Sequence, residues 1–200
     1  MTYQMDFHIP DDTDVIGFFT DLHANDHNLM DLLKQNPGIK HWFSVGDSID
    51  MFAPKHDNAP TLRIMRKFGI NSVVGNHEDY IVKSVNIKKI IGDETDLIKF
   101  ISDMPFTINI KFKNKIIRLF HSTPVGVNRF LSPEAPLDEY EKIFQNINSD
   151  IIVIGHSHKQ LIKNLSAKIV INPGPLNEDK GYYCLINKDG NIDLRSLKVY

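Results

Sequence analysis

Cysteine is all but missing. The 200-residue chain holds one, Cys184, so it forms no internal disulfide. A fold that works without disulfides suits a reducing compartment, and the expected setting is the cytoplasm. Following Tyr182 and Tyr183, that lone thiol reads as a small buried apolar side chain. No apolar run nears the roughly 20 residues a membrane span needs, so no membrane partner is expected. The N-terminus is polar and acidic (Asp6, Asp11, Asp12, Asp14), and it is not expected to be a signal peptide. Charge of one sign is also lacking. The net value is -2, which leaves no electrostatic footprint for nucleic acid or an anionic surface. No repeat, low-complexity tract or linker interrupts the chain, so one domain over residues 1–200 is expected. With 42% hydrophobic and 24% charged residues, the composition is that of a globular protein, not a disordered one.

What is present is a pattern. Ile151-Ile152-Val153-Ile154 runs into Gly155-His156-Ser157-His158. A short β-branched run of this kind reads as a strand buried on both faces, and the glycine ends it. The histidines would sit at its carboxyl end, where open α/β sheets place ligands.

The same phrase recurs. Val15 to Phe19 is a predicted strand leading to Asp21 and His23. A helix over 26–35 follows, capped by Asn25 or Asp26, with His27 in its first turn facing solvent. His41 to Val45 is a strand leading to Gly46-Asp47 and Asp50. A loop with Pro54 and His56 then leads to a helix over about 60–68. Ile70 to Val74 leads to Gly75-Asn76-His77-Glu78. The region 79–104 is helical in pieces, broken near Gly92 and stopped by Pro105.

Phe106 to Phe112 then alternates with period two and turns back through Ile116 to Phe120, which leads to His121. A helix over about 136–147 precedes the stretch at 151. A strand at 168–171, a turn at Asn172-Pro173-Gly174-Pro175 and a closing hairpin from Tyr182 complete the chain. Met1 to Thr13 reads as a polar lead-in, with His8 solvated. This order predicts a layered α/β fold: a mixed sheet or pair of sheets with helices outside.

Five strands thus end in metal-competent groups, and five of the nine histidines lie there. Carboxylate, amide and imidazole donors without thiolate suit Mn, Fe, Zn, Ni or Co. Seven donors exceed one tetrahedral zinc and match two ions sharing a carboxylate, as in two-metal phosphoryl-transfer enzymes.

Asp21-x-His23, Gly46-Asp47-x-x-Asp50, Gly75-Asn76-His77-Glu78, His121 and Gly155-His156-x-His158, in this order, resemble the calcineurin-like metallophosphoesterase superfamily. The short chain and Asn172-Pro173-Gly174 are similar to its small bacterial and archaeal phosphodiesterase branch. The resemblance implies a β-sandwich of mixed sheets flanked by helices. It implies two divalent ions, manganese first among those named above. Asp21, His23 and His158 would hold one, Asn76, His121 and His156 the other, and Asp47 would bridge them. His77 would protonate the leaving oxygen and Asp50 would orient its imidazole. A metal-bound hydroxide would attack a small phosphoester, a diester before a monoester.

Two departures bear on the branch. Met51-Phe52 and Val74 stand where the protein Ser/Thr phosphatases carry Arg-Gly and Arg, which argues against that branch. Pro175 stands where the small phosphodiesterases carry Ser after Asn-Pro-Gly, an expected local change in that loop. The rival expectations are a silent scaffold on the same fold, like the small retromer subunit, and a phosphomonoesterase or dinucleoside polyphosphate hydrolase. Arg63 and Arg66 read as surface residues of a helix, and Arg129, in the loop after His121, as a candidate phosphate contact. Self-association is neither asked for nor excluded by any pattern in the chain.

Overall fold

A computed structural model describes residues 3–52, 58–84 and 87–198. The loop residues Pro54 and His56 lie outside that description. In chain order the elements are β1 (Gln4–His8), β2 (Val15–Phe19), α1 (Asp26–Gln35), β3 (Trp42–Ser44), α2 (Asn58–Lys67), β4 (Asn71–Ser72), α3 (Asn76–Lys83), α4 (Ile87–Ile91) and α5 (Thr95–Ser102). Then follow β5 (Thr107–Phe112), β6 (Lys115–Phe120), α6 (Leu137–Phe144), β7 (Ile151–Val153), β8 (Leu161–Asn164), β9 (Ile169–Asn172), β10 (Tyr182–Asn187) and β11 (Ile192–Ser196).

The strands form two mixed sheets, in the orders β1-β5-β6-β7-β9-β8 and β11-β10-β2-β3-β4. Ile16, Phe18, Phe43 and Val45 of one sheet meet Ile108, Ile110, Ile117, Leu119, Ile151 and Val153 of the other in a common core. That core includes Cys184, whose burial pushes its thiol up to about 12. Alternate residues face outward. Phe19 and Trp42 pack with Leu29 and Leu32 of α1, and Ile152 and Ile154 pack with Tyr140 and Phe144 of α6. Side chains of β7 are therefore needed on both faces, which is why its sequence does not alternate. Each such large side chain contributes roughly 1.5–3 kcal/mol when fully buried. No helix among the described residues is long and apolar enough to cross a membrane.

β2 and α1 have the predicted bounds. Asn25 caps α1, its side chain accepting the Asn28 N–H at 3.0 Å, and His27 is exposed in the first turn. Three elements differ from expectation. The lead-in contains β1, which pairs in parallel with β5 and turns Met5 and Phe7 toward the inter-sheet core. His8 is exposed there, as expected, but on a strand. β8 was not anticipated; it pairs antiparallel with β9. The strand expected at 70–74 is only β4, because the Val74 N–H leaves the ladder for the Pro105 carbonyl, and α3 begins at Asn76, three residues earlier than the helical region read at 79.

Candidate metal centre

β2, β3 and β4 run parallel in one sheet, and β6 and β7 run parallel in the other. All five present their carboxyl ends at one edge of the sandwich. The donors thus come from two sheets facing each other.

The turns are knitted together by backbone. The N–H groups of Leu22 and His23 donate to the Asp47 carbonyl at 2.9 and 3.0 Å. Across the sheets, the His156 N–H donates to the Asp21 carboxylate at 3.1 Å. Among the described residues, seven non-glycine residues have positive φ, and five of them are Asp21, His23, Asp47, His156 and His158. L-residues avoid that region, so its concentration here marks turns shaped to aim side chains. Two glycines allow the close approach. A Cβ on Gly75 would collide with Asp47, and one on Gly155 with Thr20.

Two donor clusters result. Asp21, His23 and His158 offer one donor atom each, all within 4.8 Å of one another, and so do Asp47, His121 and His156. In the first, His23 Nε2 is 3.2 Å from His158 Nε2, which is 3.4 Å from Asp21 Oδ1. In the second, His121 Nε2 is 2.9 Å from Asn76 Oδ1 and 3.3 Å from Asp47 Oδ2. A third grouping, His23, Asp47 and His77, joins them. All seven expected ligands and His77 therefore lie in one continuous group.

The donor chemistry fits divalent ions. His121 Nδ1 faces the Val45 carbonyl at 2.8 Å. A carbonyl only accepts, so Nδ1 carries the proton and Nε2 of the neutral ring is a bare lone pair. That lone pair points at two oxygens, a contact that calls for a cation or a second proton. Burial opposes charge on His121, but Asp47 outweighs it and pushes the imidazole up to about 9. Burial would raise Asp47, yet His121 and His77 hold it well below the usual carboxylate range. Burial lowers His23 and His156, favouring the form that binds metal. The hydrogen bond to Asp21 raises His158.

His77 and Asp50 stand beside the clusters. The His77 N–H donates to Asp47 Oδ1 at 2.9 Å, so Asp47 also sits at the amino end of α3. The His77 Nδ1 accepts the Met51 N–H at 3.1 Å, while Asp50 Oδ1 is 3.7 Å away. The backbone of Met51, not Asp50, thus makes the orienting hydrogen bond in this structure. Arg63 pairs with Glu94 and Arg66 with Asp96 on the surface. Arg129 is exposed in the loop after His121.

Two residues that shape the site had no assigned role in the sequence reading. Glu78 is fully buried. Its carboxylate accepts the N–H groups of Asp47, Ser48, Ile49 and Gly75 at 2.7–3.2 Å. Burial and the charge of Asp47 push it up to about 7 against the pull of those donors. The Gly75-x-x-Glu78 spacing, an acid three residues into a helix, is the signal for part of this. Asn172, also fully buried, donates to the Gly155 carbonyl at 2.8 Å and to Ser157 Oγ at 3.0 Å, and accepts the Gly174 N–H at 2.9 Å. It holds the turn that carries His156 and His158. Pro175 forms a parallel bridge with Thr20, and the N–H groups of Leu176 and Asn177 continue the pairing. A proline is accommodated there because its neighbours donate.

A cleft of about 1150 Å³ elsewhere on the molecule contains none of these histidines. Its walls are Met5, Val74, Ile101, Met104 and Phe106, with Arg129 at the rim. It offers volume but no convergent set of donors, and the reaction centre is assigned by the donors.

Known proteins share this arrangement of chain. Over 193 residues the chain is 29% identical to an uncharacterized protein, MJ0912, of Methanocaldococcus jannaschii, covering 86% of this chain and 74% of that one. The crystal structure of the hypothetical protein PH1004 from Pyrococcus horikoshii superposes with a TM-score of 0.77 at 14% identity, covering 93% and 88% of the two chains. A structurally and functionally characterized archaeal phosphodiesterase superposes with a TM-score of 0.59 at 14% identity, covering 92% and 99%. The family model for the calcineurin-like phosphoesterase superfamily domain matches residues 15–189, from the first strand of the site to past the loop that clamps its last turn. The chain belongs to the calcineurin-like phosphoesterase superfamily.

Proposed function

We propose that this protein is a metal-dependent hydrolase of phosphodiesters, working at a dinuclear centre of divalent ions, manganese before iron, zinc, nickel or cobalt. The observation that carries the reading is the pair of donor clusters joined through the grouping of His23, Asp47 and His77. Asp21, His23 and His158 would hold one ion, Asn76, His121 and His156 the other, and Asp47 both. Bound there, the ions would neutralise charge on the phosphoryl oxygens and make water more acidic.

The chain's own contribution lies in His77. With Nδ1 accepting from Met51, the proton of the neutral ring sits on Nε2, the nitrogen 3.9 Å from Asp47 Oδ2 at the cluster. Charging the ring adds a proton on Nδ1. That proton clashes with the Met51 N–H and finds Asp50 instead, 3.7 Å away. Asp50 therefore supports the charged ring, and Nε2 delivers a proton to the leaving oxygen.

Preference for a diester is supported by the lining of a hollow beside Asn76, which among the described residues includes Lys83 but no arginine. A monoester dianion would favour a bidentate arginine clamp. The fold likeness to an archaeal phosphodiesterase agrees. The lone buried thiol keeps the cytoplasm as the proposed setting.

The test is activity on a panel of mono- and diesters after chelation and after addition of Mn²⁺. Activity should vanish and return. Full activity of metal-free protein overturns the reading, and metal-loaded protein inert on every ester favours the scaffold. His77→Asn should keep its metals and lose about 10²–10⁴-fold in kcat on alkoxide leaving groups. It should lose far less on p-nitrophenolate. An equal loss on all esters removes the general-acid role.

A further inference from the structure

The hollow beside Asn76 opens at the edge of the donor clusters. It measures about 330 Å³ and is lined by Met51, Asn76, Asp79, Tyr80, Lys83, Ser84 and Asn128. Four of these, Asn76, Asp79, Tyr80 and Lys83, stand at i, i+3, i+4 and i+7 on α3, so they form one face of one helix. The face begins at a proposed metal ligand and runs directly away from it. Along it there is room for a group esterified to a phosphate held at Asn76.

The lining is mixed in a telling way. Tyr80 is an aromatic ring left 59% exposed on this face. Phe52, beside the lining residue Met51, is 75% exposed and stands edge-on to His77 with ring centroids 5.7 Å apart. Lys83 and Asp79 form an ion pair of 2.7 Å, which offers both a donor and an acceptor. The Asn128 carboxamide is exposed and offers both as well. A lipid tail would leave these polar groups unused, and a bare alkyl group would leave the rings unused. A flat heterocycle with hydrogen-bonding edges uses both.

We propose that this hollow binds the nucleoside part of the substrate, with its base stacked on Tyr80 and its edge read by Asn128. The inference rests on the phosphoesterase reading and names its substrate class. Nucleosides reach such a site from two sources, a nucleoside phosphodiester or a dinucleoside polyphosphate.

The experiment uses manganese-loaded protein and calorimetric titration with adenosine monophosphate and with methyl phosphate. Stacking of one base predicts about tenfold tighter binding of the nucleotide. Tyr80→Ala should abolish that preference, Tyr80→Phe should keep it, and Asn128→Ala should reduce it, all with methyl phosphate binding unchanged. Equal affinity of the two ligands, or a preference that survives Tyr80→Ala, overturns the proposal while leaving the phosphoesterase reading intact. Failure to bind methyl phosphate, together with no hydrolysis of bis(p-nitrophenyl) phosphate, overturns both. Adenylyl-adenosine and diadenosine tetraphosphate as substrates separate the sources. The one with the higher kcat/KM, lowered about tenfold by Tyr80→Ala, is the class bound, and no drop on either overturns the proposal.

Discussion

A single side chain, Glu78, holds four backbone N–H groups from two different turns. No hydrogen bond in that set is strong alone. Their loss is costly because each donor is buried with no water to replace the acceptor. Glu78→Gln keeps the shape but turns an NH₂ toward two of the donors. The expected loss is about 2–4 kcal/mol in metal-free protein, read as a lowered urea midpoint with chelator present. An unchanged midpoint would mean that the turns hold themselves. Asn172 is the matching device on the other sheet, and of the two tasks only the reach of Glu78 to Gly75 is signalled by local spacing. Donors to metal follow strands directly and are conspicuous in a sequence. A clamp that reaches 30 residues back to the N–H of Ser48 leaves no local trace.

At the level of elements, legibility followed burial. β7 and β2, buried almost throughout, and α1, with strong periodicity, match their sequence readings. β1 was hidden because Gln4-Met5-Asp6-Phe7-His8 alternates between exposed and only half-buried positions. Its register against β5, Gln4 to Thr107 through His8 to Lys111, is supplied by the partner strand. α3 starts earlier than its apolar pattern suggests because Asn76 and His77 are both site residues and its first turn, which Glu78 caps. β1 nevertheless closes an edge of the six-stranded sheet. Deleting residues 1–9 should cost roughly 3–6 kcal/mol from buried Ile9 and half-buried Met5 and Phe7. It should also expose the β5 edge to pairing between chains. Thermal melting and light scattering would report both. A deletion that melts like the full chain and stays monodisperse would make β1 an ornament.

For the whole molecule, the donors span the two sheets: Asp21, His23, Asp47 and Asn76 come from one, and His121, His156 and His158 from the other. Ions at the proposed centre would therefore tie the two halves of the sandwich together. A ligand at a hundredfold its Kd adds about 2.7 kcal/mol. For a chain of this size that means a rise in Tm of about 5–10 °C when Mn²⁺ is restored after chelation. Asp47→Asn should lose most of the rise, and an Asp47→Asn protein stabilised as much as the parent would deny Asp47 its shared position. The same turns have a second consequence. Asp21, His23, Asp47, His156 and His158 all hold left-handed backbone, a conformation that a residue with a side chain enters at a cost of roughly 1–2 kcal/mol. The chain thus carries a standing conflict between being folded and being equipped. His158 shows how to measure it, since its side chain is 41% exposed. His158→Ala and His158→Gly both delete the imidazole, but only glycine is at ease at φ 51°. In metal-free protein the glycine variant should be more stable than the alanine variant by about 1 kcal/mol. Drift in the absence of selection for the ion would then run toward glycine at these five places, and a relative that had lost its metals would be recognisable by where its backbone had relaxed.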